Sequence, residues 1–306
     1  MNNVLTQSRY LRWFLFILIV LLIVWLVDIQ QTWKMLKGTD LRWLAMAFVV
    51  VQFQVLLSAI RWWITANRLG QILGLQRAIS EYYLATLVNL SLPGGVGGDA
   101  ARVYRNRVGG SFQSSILSVT IERMSGQLVL FIVTLAGWLI WPLVFTQAVP
   151  KHLLKVLSIF LLLCVIVAAM IALFSRFSLS VKRFVQELSP ALRRVWLDDR
   201  QWLLQSVLSV AIVASYVSVF AICALALAQP LPLAAMFTVV PVVLLSMVIP
   251  LSVGGWGIRE LAAASLWPVI GLTVEAGIAS SIVYGLVSMV SVIPAALLYF
   301  LMRKQA

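Results

Sequence analysis

A hydrophobic segment broken by proline and glycine occurs twice in this chain, and it limits the possible folds more than any other feature. Residues 87–102 read LVNLSLPGGVGGDAAR and residues 244–259 read LLSMVIPLSVGGWGIR. The copies align without a gap at an offset of 157 residues. Leu87/Leu244, Pro93/Pro250, Val96/Val253, Gly97/Gly254, Gly98/Gly255 and Arg102/Arg259 are identical. Six of 16 positions agree, where unrelated segments would share roughly one. Matching breaks in two halves of an apolar chain point to a transport site at the interface of two repeats.

The surroundings of the motifs are membrane-like. Of 306 residues, 62% are hydrophobic and only 11% charged, too apolar for a soluble domain to cover its surface. Apolar runs cover about 10–27, 43–62, 115–141, 152–174, 203–228 and 277–301, near or above the ~20 residues that cross a bilayer as helix. They are continuous rather than alternating, which excludes a strand barrel. The run at 10–27 has no small-residue cleavage pattern after it and reads as a retained span rather than a signal peptide. The net charge of +13 fits Lys and Arg in loops facing anionic lipid heads, and no basic run interleaved with aromatics suggests nucleic acid.

The motif segments 78–92 and 233–249 are slightly short for a crossing, at ~23–26 Å as helix. Charge counting favours dipping in and returning. With both segments re-entrant and the N-terminus cytoplasmic, 16 Lys and Arg lie inside and six outside, as the positive-inside rule requires. With both crossing, nine lie inside and 13 outside, and the mirror image reverses this with both termini outside. The expected fold is therefore an all-α polytopic membrane protein of two inverted repeats, 1–150 and 151–306. Each has three transmembrane helices and one re-entrant hairpin (78–107 and 233–263), with both termini cytoplasmic. Residues 176–202 carry Phe184, Leu188, Leu192 and Val195 at helical spacing among basic residues. They predict an amphipathic cytoplasmic helix on the inner leaflet, broken near Ser189 and Pro190, or else a solvated linker.

The chemistry follows from the breaks. Pro93 and Pro250 end the incoming helices. Gly94, Gly95, Gly97 and Gly98, with Gly254, Gly255 and Gly257, permit unusual backbone angles and close approach. A returning helix beginning near Asp99 or Trp256 would aim its N-terminal N–H groups at an anion such as a phosphate. Arg102 and Arg259 follow and suit forked contacts with a phosphodiester. The alternative is that the glycines serve tight helix packing. Glu122 and Arg123 lie ~10 Å into a span, counting helical rise from Ser115. Intramembrane ionisable residues usually face an interior cavity. Glu122 pairs with Arg102 or Arg259, carries a proton or meets a headgroup, unless it forms only a structural ion pair. Asp99 reads as a helix cap or a site acid, and Glu260 beside Arg259 is equally open. Arg61 beside Trp62 and Trp63, Glu81 and Glu275 read as interfacial anchors. Asp28 and Asp40 read as solvated loop acids. Cys164 and Cys223 sit in apolar runs as small hydrophobes. His152 is the one histidine, so no metal site is expected. No nucleotide loop or catalytic triad is recognisable, so neither enzyme nor cofactor is expected.

The ordered set of three motifs resembles the lysylphosphatidylglycerol synthase transmembrane family, the flippase-like membrane region of bacterial multiple peptide resistance factors. It comprises 92–99 (LPGGVGGD) with Arg102, then Glu122 and Arg123, then 250–260 (PLSVGGWGIRE). The resemblance covers nearly the whole chain. It implies a bacterial inner-membrane protein that moves or handles a lipid with a polar headgroup. In the two-part factors a soluble C-terminal domain attaches the amino acid. This sequence ends at Ala306 without one, so synthase activity is not expected of it. The implied partners are a membrane lipid and, where the chain presents lipid rather than moving it, a separate synthase or transferase. An oligomer is compatible with either role.

Overall fold

The computed structural model describes residues 28–92, 95–107, 110–145, 178–248 and 253–294, with positions 21, 158, 169, 170 and 173. The expected spans 10–27 and 152–174, together with Pro93, Gly94, Pro250, His152 and Cys164, lie outside the described residues apart from those isolated positions. What is described is helical; the one strand-like feature is a single bridge between Val253 and Trp256. The helices are α1 (Ile29–Lys37), α2 (Leu41–Arg68), α3 (Leu75–Ser91), α4 (Gly97–Asn106) and α5 (Phe112–Phe145), then α6 (Leu179–Leu192), α7 (Gln201–Ala226), α8 (Leu233–Ser246), α9 (Ile258–Leu266) and α10 (Val274–Val290). Three helical stretches, Leu41–Arg68, Phe112–Leu143 and Val181–Ala226, are long and apolar enough to cross a membrane.

Helices α2 and α7 form the central pair, and they run antiparallel. The Asp40 amide donates to Ala226 O at 2.9 Å, Arg61 Nη1 to Ser209 Oγ at 3.0 Å and Gln205 Nε2 to Thr65 Oγ1 at 3.4 Å. The buried face of α2 steps by four residues through Ala47, Val51, Val55 and Ala59, and α7 offers Val213, Val217 and Ala221. Small and β-branched side chains at this spacing let two membrane helices approach closely. Phe220 of α7 extends the core to Trp267 and Tyr284, with ring centroids 5.5 and 5.1 Å away. Asp28 and Asp40 are helix N-caps: their carboxylates accept from the amides of Gln30 and Gln31, and of Arg42, which satisfies donors the first helical turn leaves free.

The first motif forms a tight helical pair. Leu92 is extended, Gly95 has φ +62°, and α4 starts at Gly97. α4 then returns along α3. Asn89 Oδ1 accepts from the Gly98 amide at 2.7 Å, Arg105 Nε donates to Glu81 Oε2 at 2.6 Å, and Arg77 Nη2 donates to Arg105 O at 3.2 Å. Glu81, expected as an interfacial anchor, instead ties α4 to α3. The helices meet at Gly98, where a Cβ would lie 1.9 Å from Ala85 O. The second motif has a longer irregular stretch. Gly254, Gly255 and Gly257 have φ of +56°, +86° and +87°, and α9 starts only at Ile258. A Cβ on Gly254 would lie 2.9 Å from Leu90 O, so the second break abuts the end of α3.

One expectation for residues 176–202 is corrected. Helix α6 continues through Pro190, although proline removes an amide donor and crowds the preceding turn, and the chain winds on into a π-helix at Arg193–Leu197 just after it. The break falls at Asp198–Arg200, where Asp199 and Arg200 take φ of +55° and +57° and Arg68 of α2 holds Asp199 at 2.7 Å. The apolar stripe of Phe184, Leu188, Leu192 and Val195 packs on Leu117 and Ile121 of α5. This stripe covers protein.

Gly98→Ala should lower stability by more than ~3 kcal/mol, since a backbone carbonyl blocks the new methyl. Gly95→Ala has open space around the Cβ and should cost only the ~1–2 kcal/mol of left-handed strain. Thermal unfolding in detergent checks the order, and equal losses would contradict the close approach.

Candidate headgroup site

The site begins with a buried carboxylate. Glu122, on α5, is 1% exposed. Its Oε1 accepts from Arg61 Nη2 at 2.6 Å and from Tyr82 Oη at 3.2 Å. Its Oε2 accepts from Arg102 Nη2 at 3.0 Å. Helices α2, α3, α4 and α5 thus converge on one side chain. Arg102 Nη2 also reaches Asp99 Oδ1 at 3.0 Å, and Arg123 Nη2 is ion-paired with Asp99 Oδ2 at 2.6 Å. Asp99 is the third residue of α4 and works as an ion-pair partner; the side chain that caps this helix is that of Asn89, which takes the Gly98 amide. The guanidinium of Arg102 lies between Trp62 and Tyr82, 4.6 and 4.8 Å from the ring centroids, within cation–π range.

The second motif repeats the arrangement with local parts. Arg259, 1% exposed, lies 5.2 Å from the Trp256 ring and 5.1 Å from the Tyr284 ring. Its Nη2 donates to Glu260 Oε1 at 2.7 Å, and its Nε donates to Ser281 Oγ at 2.8 Å. Ser281 Oγ donates to Glu260 Oε1 at 2.7 Å, and Glu260 Oε2 accepts from the Gly257 amide at 2.5 Å. In each motif the arginine is therefore held by a buried acid and two aromatic rings.

A cavity of about 280 Å³ joins the two motifs. Gly95, Asp99, Arg102 and Glu122 face it from the first half, Gly254, Gly255 and Arg259 from the second, with Arg61 and Arg123 between. Of the other predicted site residues, Gly97 and Gly98 lie in the first turn of α4 behind the cavity wall. Gly257 and Glu260 stand behind Arg259. Two of the backbone donors expected to greet an anion are already engaged, Gly98 N by Asn89 and Gly257 N by Glu260. Side-chain guanidiniums are what the cavity offers. Four of them, Arg61, Arg102, Arg123 and Arg259, face three carboxylates, Asp99, Glu122 and Glu260, leaving one positive charge. Arg102 keeps Nε and Nη1 without a partner among the described residues, as does Arg61 its Nε. Such unsatisfied buried donors are rare in proteins.

Sequence reasoning misplaced Arg61 and missed the roles of three of the four aromatic residues, Trp62, Tyr82 and Tyr284. Arg61 next to two tryptophans looks like an interfacial anchor. It is 3% exposed because α2 continues to Arg68, placing it on the face toward α5. Spacing carried no signal for Tyr82, Trp62 or Tyr284, which reach the arginines only through helix packing. Trp256, inside the motif itself, was the one legible from its place. No group of three or more His, Cys, Asp or Glu among the described residues is placed to hold a metal.

Residues 13–296 match the family described as lysylphosphatidylglycerol synthase TM region. The chain belongs to this family. No curated protein gives a significant match. Membership makes the chain a membrane protein of a lipid-related family, and no catalytic activity is attached to this family's transmembrane region by the match.

Glu122→Ala should leave Arg61 and Arg102 as uncompensated buried charges and lower stability by ~3–5 kcal/mol. Glu122→Gln, which keeps an acceptor, should lose less. Asp198→Asn, at an exposed 3.8 Å pair with Arg193, should change stability by no more than ~1 kcal/mol. Thermal unfolding of the three variants, side by side in one detergent, checks this ranking.

Proposed function

We propose that the chain is a flippase-like transporter that moves a lipid with a polar headgroup, anionic or aminoacylated, across the bacterial inner membrane by alternating access, without an enzymatic step. The observation that carries the reading is the shared cavity: two broken segments, one from each half, meet around a buried cluster with one excess positive charge. In this reading Arg102, Arg259 and Arg123 hold the headgroup. Glu122, Asp99 and Glu260 fix those guanidiniums, and the backbones of Gly95, Gly254 and Gly255 form close walls of the cavity.

The architecture proposed with it is a pair of inverted repeats. Shifted by 157 residues, the ranges of α2 to α5 become 198–225, 232–248, 254–263 and 269–302. Helices α7 to α10 occupy 201–226, 233–246, 258–266 and 274–290. The matched helices α2 and α7 run antiparallel, as an inversion demands. The 17 residues of α3 extend ~26 Å and the 14 of α8 only ~21 Å, against a hydrocarbon core of ~30 Å. Such lengths favour segments that enter and return. The excess of Lys and Arg in the loops then favours cytoplasmic termini. Repeats that rock about a central site would open it to either leaflet in turn.

Reconstitution into liposomes with headgroup-labelled lipids tests this. Wild type should exchange lipid between leaflets in a headgroup-dependent way. Arg259→Gln, checked for folding by size exclusion, should slow exchange about tenfold or more, equivalent to ~1.4 kcal/mol in the barrier. No headgroup-dependent exchange by wild type, or full activity in Arg259→Gln, would reject transport.

A further inference from the structure

We infer that the cavity selects the monoanionic phosphodiester headgroup of a lipid whose remaining polar part is uncharged and hydroxylated, in preference to an aminoacylated one. This rests on the reading of the cavity as a lipid-headgroup site and narrows its substrate class. The decisive feature is the state of the carboxylates. A lysyl or other aminoacyl headgroup brings ammonium groups, and these need acceptors that carry negative charge. The four carboxylate oxygens of Glu122 and Glu260 already accept hydrogen bonds from the protein, and both oxygens of Asp99 are ion-paired. Asp99 faces Arg102 at 3.0 Å and Arg123 at 2.6 Å. Glu122 accepts from Arg61 and Tyr82 on one oxygen and from Arg102 on the other. Glu260 accepts from Arg259 and Ser281 on one and from the Gly257 amide on the other. An arriving ammonium would compete with guanidiniums that are fixed in place, and it would enter a cluster that is already positive.

The donors are in the opposite state. Arg102, 1% exposed, keeps two nitrogens unpartnered among the described residues, and Arg61 keeps one. Both side chains line the cavity. Arg123, whose side chain is 45% exposed and ion-paired with Asp99, adds a half-exposed guanidinium at the same wall. Phosphodiester oxygens accept from such groups in charge-assisted bonds. Gln54 lines the same cavity and leaves Oε1 buried without a donor. A hydroxyl satisfies it and an ammonium is not required. One excess positive charge, spare N–H donors and a spare neutral acceptor together describe a phosphate ester bearing a polyol.

The test measures binding rather than transport. Full-length chain in neutral detergent is titrated with phosphatidylglycerol, lysyl-phosphatidylglycerol and phosphatidylcholine, and with water-soluble glycerophosphoglycerol and inorganic phosphate. Phosphatidylglycerol should bind at least tenfold tighter than the lysyl lipid and tighter than either soluble phosphate. Arg123→Glu turns the excess charge of the cluster from one positive to one negative at a half-exposed position. It should weaken phosphatidylglycerol about tenfold or more and reduce or reverse the preference. Arg183→Gln, on the exposed face of α6, should leave both affinities unchanged. Equal or tighter binding of the lysyl lipid by wild type overturns the inference. So does an unmoved preference in Arg123→Glu, or soluble glycerophosphoglycerol binding as tightly as the lipid. A chain with the expected preference that exchanges no lipid keeps this inference and loses the transport reading. A chain that exchanges the lysyl lipid and prefers it does the reverse.

Discussion

Glu122 is the constraint around which the first half is arranged. Its carboxylate takes guanidinium donors from α2 and α4 while it rides on α5 itself. In an apolar bundle a charge left alone is far more costly than in water, so these helices can settle only where all three groups meet. Arg61 extends the constraint across the molecule, because its other terminal nitrogen donates to Ser209 of α7. The register of the central α2–α7 pair and the position of the first motif are thereby fixed together. A buried ion-pair network of this kind adds little net stability compared with a hydrocarbon core. What it gives is geometry: three helices are held at one point, with polar edges left over.

The sequence made the skeleton of this arrangement readable and hid its contacts. The motif glycines and arginines declared themselves because polar and small residues are conspicuous in an apolar chain and because they recur at one offset. The same contrast exposed Glu122 and Arg123. The helices α2, α5 and α7 follow from uninterrupted apolar runs, although α2 continues well past the apolar stretch to Arg68. That continuation is why Arg61 could not be placed, since a terminal arginine beside tryptophans and a buried one look alike until the helix end is known. The stripe of α6 shows a related ambiguity. Leu188 and its neighbours are equally suited to lipid tails and to α5, and only the turn at Asp198–Arg200 brings them onto protein. Tyr82 and Tyr284 reach their arginines from different helices, a relation that periodicity does not encode.

The two motif copies are alike in role and unlike in construction. In the first, Gly97 and Gly98 are already helical, and Arg102 stands in the second turn of α4 with one acid supplied by α5. In the second, the matching Gly254 and Gly255 are left-handed turn residues, and Arg259 stands at the start of α9 with its acid next door. Arg102 thus takes one acid from its own helix and one from α5, whereas Arg259 takes its acid from the next residue and a hydroxyl acceptor from α10. The anchors differ in what can disturb them. Moving α5 relative to α4 would change the surroundings of Arg102 at once, whereas Arg259, Glu260 and Ser281 hold together across α9 and α10 alone.

That difference bears on how a rocking motion would work. The two motifs touch where Gly254 abuts the end of α3 at Leu90, with no side chain between the two backbones, while α2 and α7 hold the halves together through Arg61 and Ser209 and through Gln205 and Thr65. Arg259 would travel with its own cage intact, while Arg102 and Arg61 share Glu122 and therefore stay with α5. A headgroup between them would then be handed between a cation fixed to one half and a cation fixed to the other. Aromatic rings beside each guanidinium help here, because they hold its plane and exclude water without consuming its N–H groups. Arg102 is thus held through its faces and one edge, while its Nε and Nη1 stay buried without a partner among the described residues.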